Sequence, residues 1–216
     1  MRKTFLAITL FLAFSKAALA QFGNCTASEM RTYVDSATGN TITMLTDTMK
    51  NDRFLYQTDP MWTADGKYLL FRSSSRGNDK EVESTLPNGE KRKWTPTQIY
   101  FIEMATGKII QATEGPNLGS AFLANKTNRM FVSRKEKENW NMYVMDLNKF
   151  FADVKQGKVG KPSAYETFIG TFPTEMGRPG GYAVDCNDDY AYITVEREGT
   201  EEEKERMMKN AFLPAS

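Results

Sequence analysis

Five arginines, Arg53, Arg72, Arg76, Arg134 and Arg178, are the residues of this chain best suited to act together on one ligand. A guanidinium holds a carboxylate through two parallel hydrogen bonds and keeps its charge at any physiological pH, so gathered arginines make a receptor for a polyanion. They do not make a proton-transfer set. Histidine is absent from all 216 residues, which removes a histidine general base, a histidine triad and a histidine-rich metal site from what this chain can do alone. Among the carboxylates, Asp59 begins an apolar segment and could approach a ligand, whereas Asp65 precedes Gly66 and reads as a turn residue capping a hairpin. The serine-rich run from Arg72 to Gly77 has no strand-to-helix setting, which disfavours both a phosphate cradle and a serine nucleophile.

A repeated unit is what would bring those arginines to one place. Its clearest copy runs Asp59-Pro60-Met61-Trp62-Thr63-Ala64-Asp65-Gly66-Lys67-Tyr68-Leu69-Leu70-Phe71, then residues 98–104, then residues 105–113. Asp65-Gly66 and Thr106-Gly107 are tight-turn signals between segments rich in β-branched and aromatic residues, so the unit reads as an antiparallel meander of four strands. A copy of its end precedes it at 37–46, a fainter copy follows at Phe122, 128–133 and 140–147, and a third turns at Asn187-Asp188-Asp189 between 181–185 and 190–195. The equivalent strands near Phe71, Phe131 and Ile193 recur at about 60 residues, longer than the roughly 40–45 of a WD-type repeat, and the extra length is assigned to loops. One of these, near 76–97, reads as a hairpin extension or a disordered insert.

Tandem four-stranded meanders build β-propellers, whose rings hold about four to eight blades. The expected fold is all-β, an incomplete β-propeller of about three antiparallel blades, and the fragment at 37–46 needs strands from elsewhere to finish its blade. The expectation is therefore that the sequence is truncated; an open stack of three sheets is the alternative, with raw edges prone to association. In a blade of this kind, segments 48–56, 72–77, 134–139 and 170–180 share one face of the ring. All five arginines fall in them.

Residues 1–20 read as an export signal: Arg2 and Lys3, an apolar core from Phe5 to Phe14, and Ala18-Leu19-Ala20 before a cleavage at Gln21. The core is shorter than the roughly 20 apolar residues that span a bilayer, so the remainder, 21–216, is expected to be periplasmic or secreted without membrane insertion. The only two cysteines, Cys25 and Cys186, either pair in that oxidising setting or remain thiols. With 28 Lys plus Arg against 27 Asp plus Glu, no global charge draws nucleic acid or membrane surfaces. A charged stretch at 196–210 reads as a solvated helix.

The run Pro60-x-Trp62-Thr63-x-Asp65-Gly66-Lys67-x-Leu69-x-Phe71, with Ile99-Tyr100 and Thr106-Gly107, resembles the propeller repeat of TolB-type proteins. A narrower match joins Tyr33-x-Asp35-x-x-Thr38-Gly39, Thr43-x-Leu45-Thr46, Arg53-Phe54-Leu55-Tyr56-Gln57 and the Thr63 to Phe71 run. In order and spacing this resembles the opening of oligogalacturonate lyases, clearly over about residues 31–115. The resemblance implies a seven-bladed propeller that cleaves oligogalacturonides or related uronides by β-elimination, with a histidine base and a divalent, manganese-like metal held by histidines of later blades. None of those ligands can be carried onto this chain, which by itself is expected to bind no metal and to be inactive.

Arg53, Tyr56 and Gln57 match the family's early motif, and Asp52 stands where the family often has a histidine. With Arg72, Arg76 and Arg178 they form the expected binding surface for an acidic oligosaccharide. Trp94 and Trp140 could stack on sugar faces; Trp62, in a strand pattern, is read as packing between blades. Two other readings use the same blades: a non-catalytic TolB-like scaffold of the cell envelope, and the propeller cap of a prolyl oligopeptidase-type peptidase.

Overall fold

The computed structural model describes residues 21–77, 80–85, 89–172 and 178–196, the last segment with side chains from 181 to 194. The expected export signal and the charged stretch beyond 196 lie outside the described residues. In chain order the strands are β1 (Cys25–Thr26), β2 (Arg31–Val34), β3 (Thr41–Met44), β4 (Asp52–Arg53), β5 (Tyr68–Ser73), β6 (Val82–Thr85), β7 (Lys91–Trp94), β8 (Gln98–Glu103), β9 (Ile109–Gln111), β10 (Leu118–Leu123), β11 (Arg129–Glu136) and β12 (Asn139–Asp146). Helix α1 (Leu147–Gln156) follows, then β13 (Glu166–Phe172), β14 (Arg178–Val184) and β15 (Ala191–Glu196). The protein is mostly β, in several antiparallel sheets.

The clearest repeat of the sequence supplies β5, β8 and β9 of the sheet β4-β5-β8-β9. Its expected first strand, from Asp59, makes only a bridge between Trp62 and Leu69; the strand paired along β5 is β4, ahead of the unit, and β1 extends the outer edge by pairing Cys25 with Ile110. Gly66 and Gly107 take φ of 68° and 70° in its two turns, a left-handed backbone that glycine adopts without a Cβ clash. The second copy is β10-β11-β12-β13, and the third is the pair β14-β15. The earliest fragment forms the hairpin β2-β3, and the 76–97 segment forms the hairpin β6-β7.

Strand alternation explains how the sheets stack. From β5 and β8, Tyr68, Leu70, Ile99 and Phe101 bury into one core, shared with Ala121, Leu123, Met130 and Val132 of the second sheet. Leu69, Phe71, Tyr100 and Ile102 bury into another, which Leu45 and Met61 help to close. The far face of the second sheet sends Phe122, Phe131 and Met142 against Tyr182, Val184 and Ile193 of the third. Each sheet is thus covered on both faces only where a neighbouring sheet is present, as period-two side chains require.

One element contradicts the expectation that the extra repeat length is loop. Between β12 and β13, Leu147, Phe150 and Phe151 form the buried face of α1, with Val154 packed beside them. Asp146 caps the helix by accepting from the Lys149 N–H, and Gly157 ends it at φ 65°. Phe151 stacks on Tyr68 at 3.6 Å between ring centroids, and Lys155 reaches Glu103 at 3.1 Å. The helix wedges between the first and second sheets.

Asp188 ties the second sheet to the third. Its buried carboxylate accepts from the backbone N–H groups of Asn125 (2.6 Å), Lys126 (2.9 Å) and Thr127 (2.8 Å) and from the Thr127 hydroxyl. Burial raises its pKa, and these donors outweigh that effect and hold it below the ordinary value. Asp65 plays a smaller version of the same part at the first turn. Against the cost of burial, the Thr63 hydroxyl at 2.7 Å and the Lys67 N–H at 3.1 Å lower its pKa to about 2. The carboxylate is a turn cap, as its place before Gly66 predicts.

Candidate functional site

Strands β4, β5, β7 and β10 border a cavity of about 1040 Å³. Arg53 and Arg72 reach it from β4 and β5, Arg92 and Trp94 from β7, and Tyr56 and Asp59 from the segment after β4. Asn51, Ser74, Ser84, Ser120 and Tyr182 add hydrogen-bonding groups, while Leu55, Leu118 and Phe122 supply apolar wall. Among the described lining residues, three arginines against one carboxylate, Asp59, give a positive character that the whole chain, at +1, lacks.

The register of β4 and β5 concentrates that charge. Arg53 lies directly opposite Arg72 in the ladder, so the two cationic side chains leave the same face of the sheet. Like charges directly opposite on paired strands repel. Arg53 donates from Nε to Asn51 Oδ1 at 3.3 Å, and among the described residues neither Arg53, Arg72 nor Arg92 has a carboxylate within ion-pair distance. All three are exposed. An anion in the cavity would relieve the repulsion.

The expected binding residues therefore separate. Arg53, Tyr56 and Arg72 line the cavity; Gln57 is exposed beside it and outside the lining. Arg76, expected at the same mouth, points elsewhere: its guanidinium sits between Asp52 and Glu29, at 2.8 Å from Nε to Asp52 Oδ1 and 2.9 Å from Nη1 to Glu29 Oε1. Its side chain is only 6 % exposed, and it lies over the Phe71 ring at 5.2 Å. Burial would lower its pKa, but the two carboxylates raise it and keep the group charged. Arg134 likewise leaves the mouth, bonded to Glu166 at 2.5 Å. The side chain of Arg178 lies outside the described residues.

Arg92 was not singled out by its sequence position, because it sits in the charge-rich insert where Lys91, Arg92 and Lys93 look alike. The available signal was the two-residue spacing Arg92-x-Trp94 in a hairpin strand. Trp62, expected between sheets, is 47 % exposed; its partner in an isolated bridge is Leu69, and the neighbouring Thr63 takes the buried position. Cys25 and Cys186 are free and exposed. Although the residue is exposed, partial desolvation of its thiol pushes the Cys25 pKa up, with Lys108 opposing.

The donor set does not fit a divalent metal. With no histidine in the chain, and no group of three or more cysteine, aspartate and glutamate side chains gathered among the described residues, a manganese-like ion has too few ligands here. Among the described lining residues of the cavity, a single carboxylate, Asp59, stands with three arginines. No helix among the described residues is long and apolar enough to cross a membrane.

No family model matches the chain, and none of the curated proteins is similar to it. Among solved structures, an oligogalacturonate lyase in complex with manganese superposes with a TM-score of 0.53 at 20% sequence identity, over 78% of this chain. An oligogalacturonate lyase from Vibrio parahaemolyticus superposes with a TM-score of 0.52 at 21% identity, over 77%. The chain spans about a third of the length of each, 36% and 35%. Both of these solved structures are oligogalacturonate lyases, and this mostly β, antiparallel chain shares the fold of the part of each that it spans.

Proposed function

We propose that this chain is the substrate-gripping part of an exported β-propeller lyase that cleaves oligogalacturonides or related uronides by metal-assisted β-elimination. The likeness in fold to two oligogalacturonate lyases supports the reading, as does the series of antiparallel sheets stacked face to face, which suits consecutive blades. The apolar segment at 5–14 with its small-residue cleavage pattern supports export to the periplasm or beyond.

The observation that carries the proposal is the unneutralised Arg53/Arg72 pair. Two arginines opposite one another, exposed to a cavity and lacking acidic partners among the described residues, are poor for stability and good for holding a carboxylate. Arg92 on the facing hairpin offers a further carboxylate contact, so the cavity suits a ligand with several acidic groups along its length. Serine, asparagine and tyrosine side chains between the arginines suit the hydroxyls of a sugar.

β-Elimination needs a base for the proton beside the carboxylate and positive charge on the enediolate that develops. Arginine pairing with the carboxylate contributes to the second need by drawing negative charge toward the guanidinium, and it orients the sugar ring. This chain has no histidine to act as base, and its described residues gather no metal ligand set, so the part proposed for it is binding and orientation. Isothermal titration with trigalacturonate tests the reading: the expected result is measurable binding that weakens in salt and disappears with the fully methyl-esterified trisaccharide. Equal affinity for the esterified and free forms would refute it.

A further inference from the structure

The β6-β7 hairpin is one arm of the cavity wall, and its two faces differ in kind. Strand alternation puts Ser84, Arg92 and Trp94 on the cavity side, where all three line the wall, and Ser84 is the cross-strand partner of Arg92. On the opposite face, Lys91 is neutralised by Glu83 at 2.8 Å, and Lys93 pairs across the ladder with Glu83. The arm thus neutralises a cation on the outer face and leaves Arg92 without an acidic partner among the described residues on the inner one. Trp94 remains 38 % exposed beside that arginine, at the mouth of a cavity that could cover it. An indole face next to a free guanidinium combines an apolar platform with a carboxylate clamp.

We propose that the inner face of this hairpin is a second sugar subsite, in which Trp94 stacks on a pyranose ring and Arg92 pairs with the carboxylate of that same ring. The subsite rests on the reading of the cavity as a site for acidic oligosaccharides, and it adds selectivity: an acidic group alone satisfies Arg53 and Arg72, but only a ring bearing an acid satisfies Trp94 and Arg92 together. Stacking plus positive charge also describes surfaces that bind single-stranded nucleic acid. The pocket's ring of short hydroxyl and amide side chains, Asn51, Ser74, Ser84 and Ser120, favours the sugar acid.

The test compares trigalacturonate, maltotriose and oligothymidylate binding to the full chain by titration calorimetry, using Trp94→Ala, Trp94→Phe, Arg92→Ala and Lys93→Ala, each checked for native circular dichroism. The expected result is a loss of about tenfold in trigalacturonate affinity for Trp94→Ala and for Arg92→Ala, the size of one charge-assisted or stacking contact. Trp94→Phe should recover most of the loss, and Lys93→Ala, on the outer face, should change affinity less than twofold. Unchanged affinity in Trp94→Ala and Arg92→Ala, with Arg53→Ala still weakened, would overturn the subsite and leave the cavity reading intact. No binding of trigalacturonate to the unmodified chain would remove the cavity reading itself. An equal loss in Lys93→Ala would replace the subsite by diffuse charge attraction, and tighter binding of oligothymidylate through Trp94 would replace it by a nucleic-acid surface.

Discussion

Arg72 and Arg76 sit within one short run of sequence, yet they do opposite work. Arg76 is enclosed by Glu29 and Asp52, its side chain 6 % exposed, and it joins the segment before β2, the strand β4 and the end of β5. Arg72 is exposed to the cavity, opposite another arginine, with no acidic partner among the described residues. A satisfied buried cation holds structure together; an unsatisfied exposed one keeps its charge available for a ligand. The contrast teaches that counting arginines near a mouth says little until their counter-ions are known.

Removing the buried member should have the largest effect. Arg76→Ala leaves Glu29 and Asp52 facing each other without a cation, and the expected loss is about 3–5 kcal/mol of folding stability, read by urea denaturation. A loss below about 1 kcal/mol would place the triad with ordinary surface ion pairs and erase the contrast. Arg53→Ala and Arg72→Ala should do the reverse. Each is expected to cost about tenfold or more in trigalacturonate affinity, as a lost charge-assisted hydrogen bond does, while the urea midpoint moves little or rises as cross-strand repulsion is relieved.

Salt sharpens the same distinction. Trigalacturonate binding at the exposed arginines should fall steadily between low and physiological ionic strength, since exposed charges are screened over about 8–10 Å. The stability difference between the unmodified protein and Arg76→Ala should change far less over that range, because the triad is largely shielded from solvent ions.

Acid gives the smallest and most specific signal. Hydrogen bonding from Arg76 comes first among the causes that hold the Glu29 pKa below its ordinary value, so the carboxylate stabilises the fold above its unfolded pKa and loses that contribution as pH falls through its depressed folded one. In Arg76→Ala the leading cause is gone, and the acid limb of the stability curve should flatten in that window. Asp65 serves as the internal control: its contribution, set by Thr63 and Lys67 to about pKa 2, should be lost at the same acidity in both proteins. A parallel shift of both would show that the triad does not set the pH response.

Much of the local architecture is legible in the sequence. Asp65-Gly66 and Thr106-Gly107 announced their turns because tight hairpins need a left-handed residue, and the strands at 68–71 and 98–103 announced themselves by β-branched and aromatic content. Helix α1 was hidden inside a segment read as spacer, although its signals were present: Asp146 as cap, Leu147, Phe150, Phe151 and Val154 at helical spacing, Gly157 as stop. The repeat pattern drew attention to period two and away from 3.6. The joining of β1 to β9 was invisible, since two exposed residues at an edge carry no pattern.

Local chemistry is written in the residue order: where the chain turns, which stretches extend, that no histidine is present to move a proton, and that arginines are available for acids. Which arginines remain available depends on the folded neighbourhood of each. Glu29, Asp52 and Arg76 come together from three separate segments, and Arg53 meets Arg72 only through the β4-β5 register. Charge neutralisation acts through space over a few ångströms, whereas spacing along the chain reports only which way a side chain leaves its own strand.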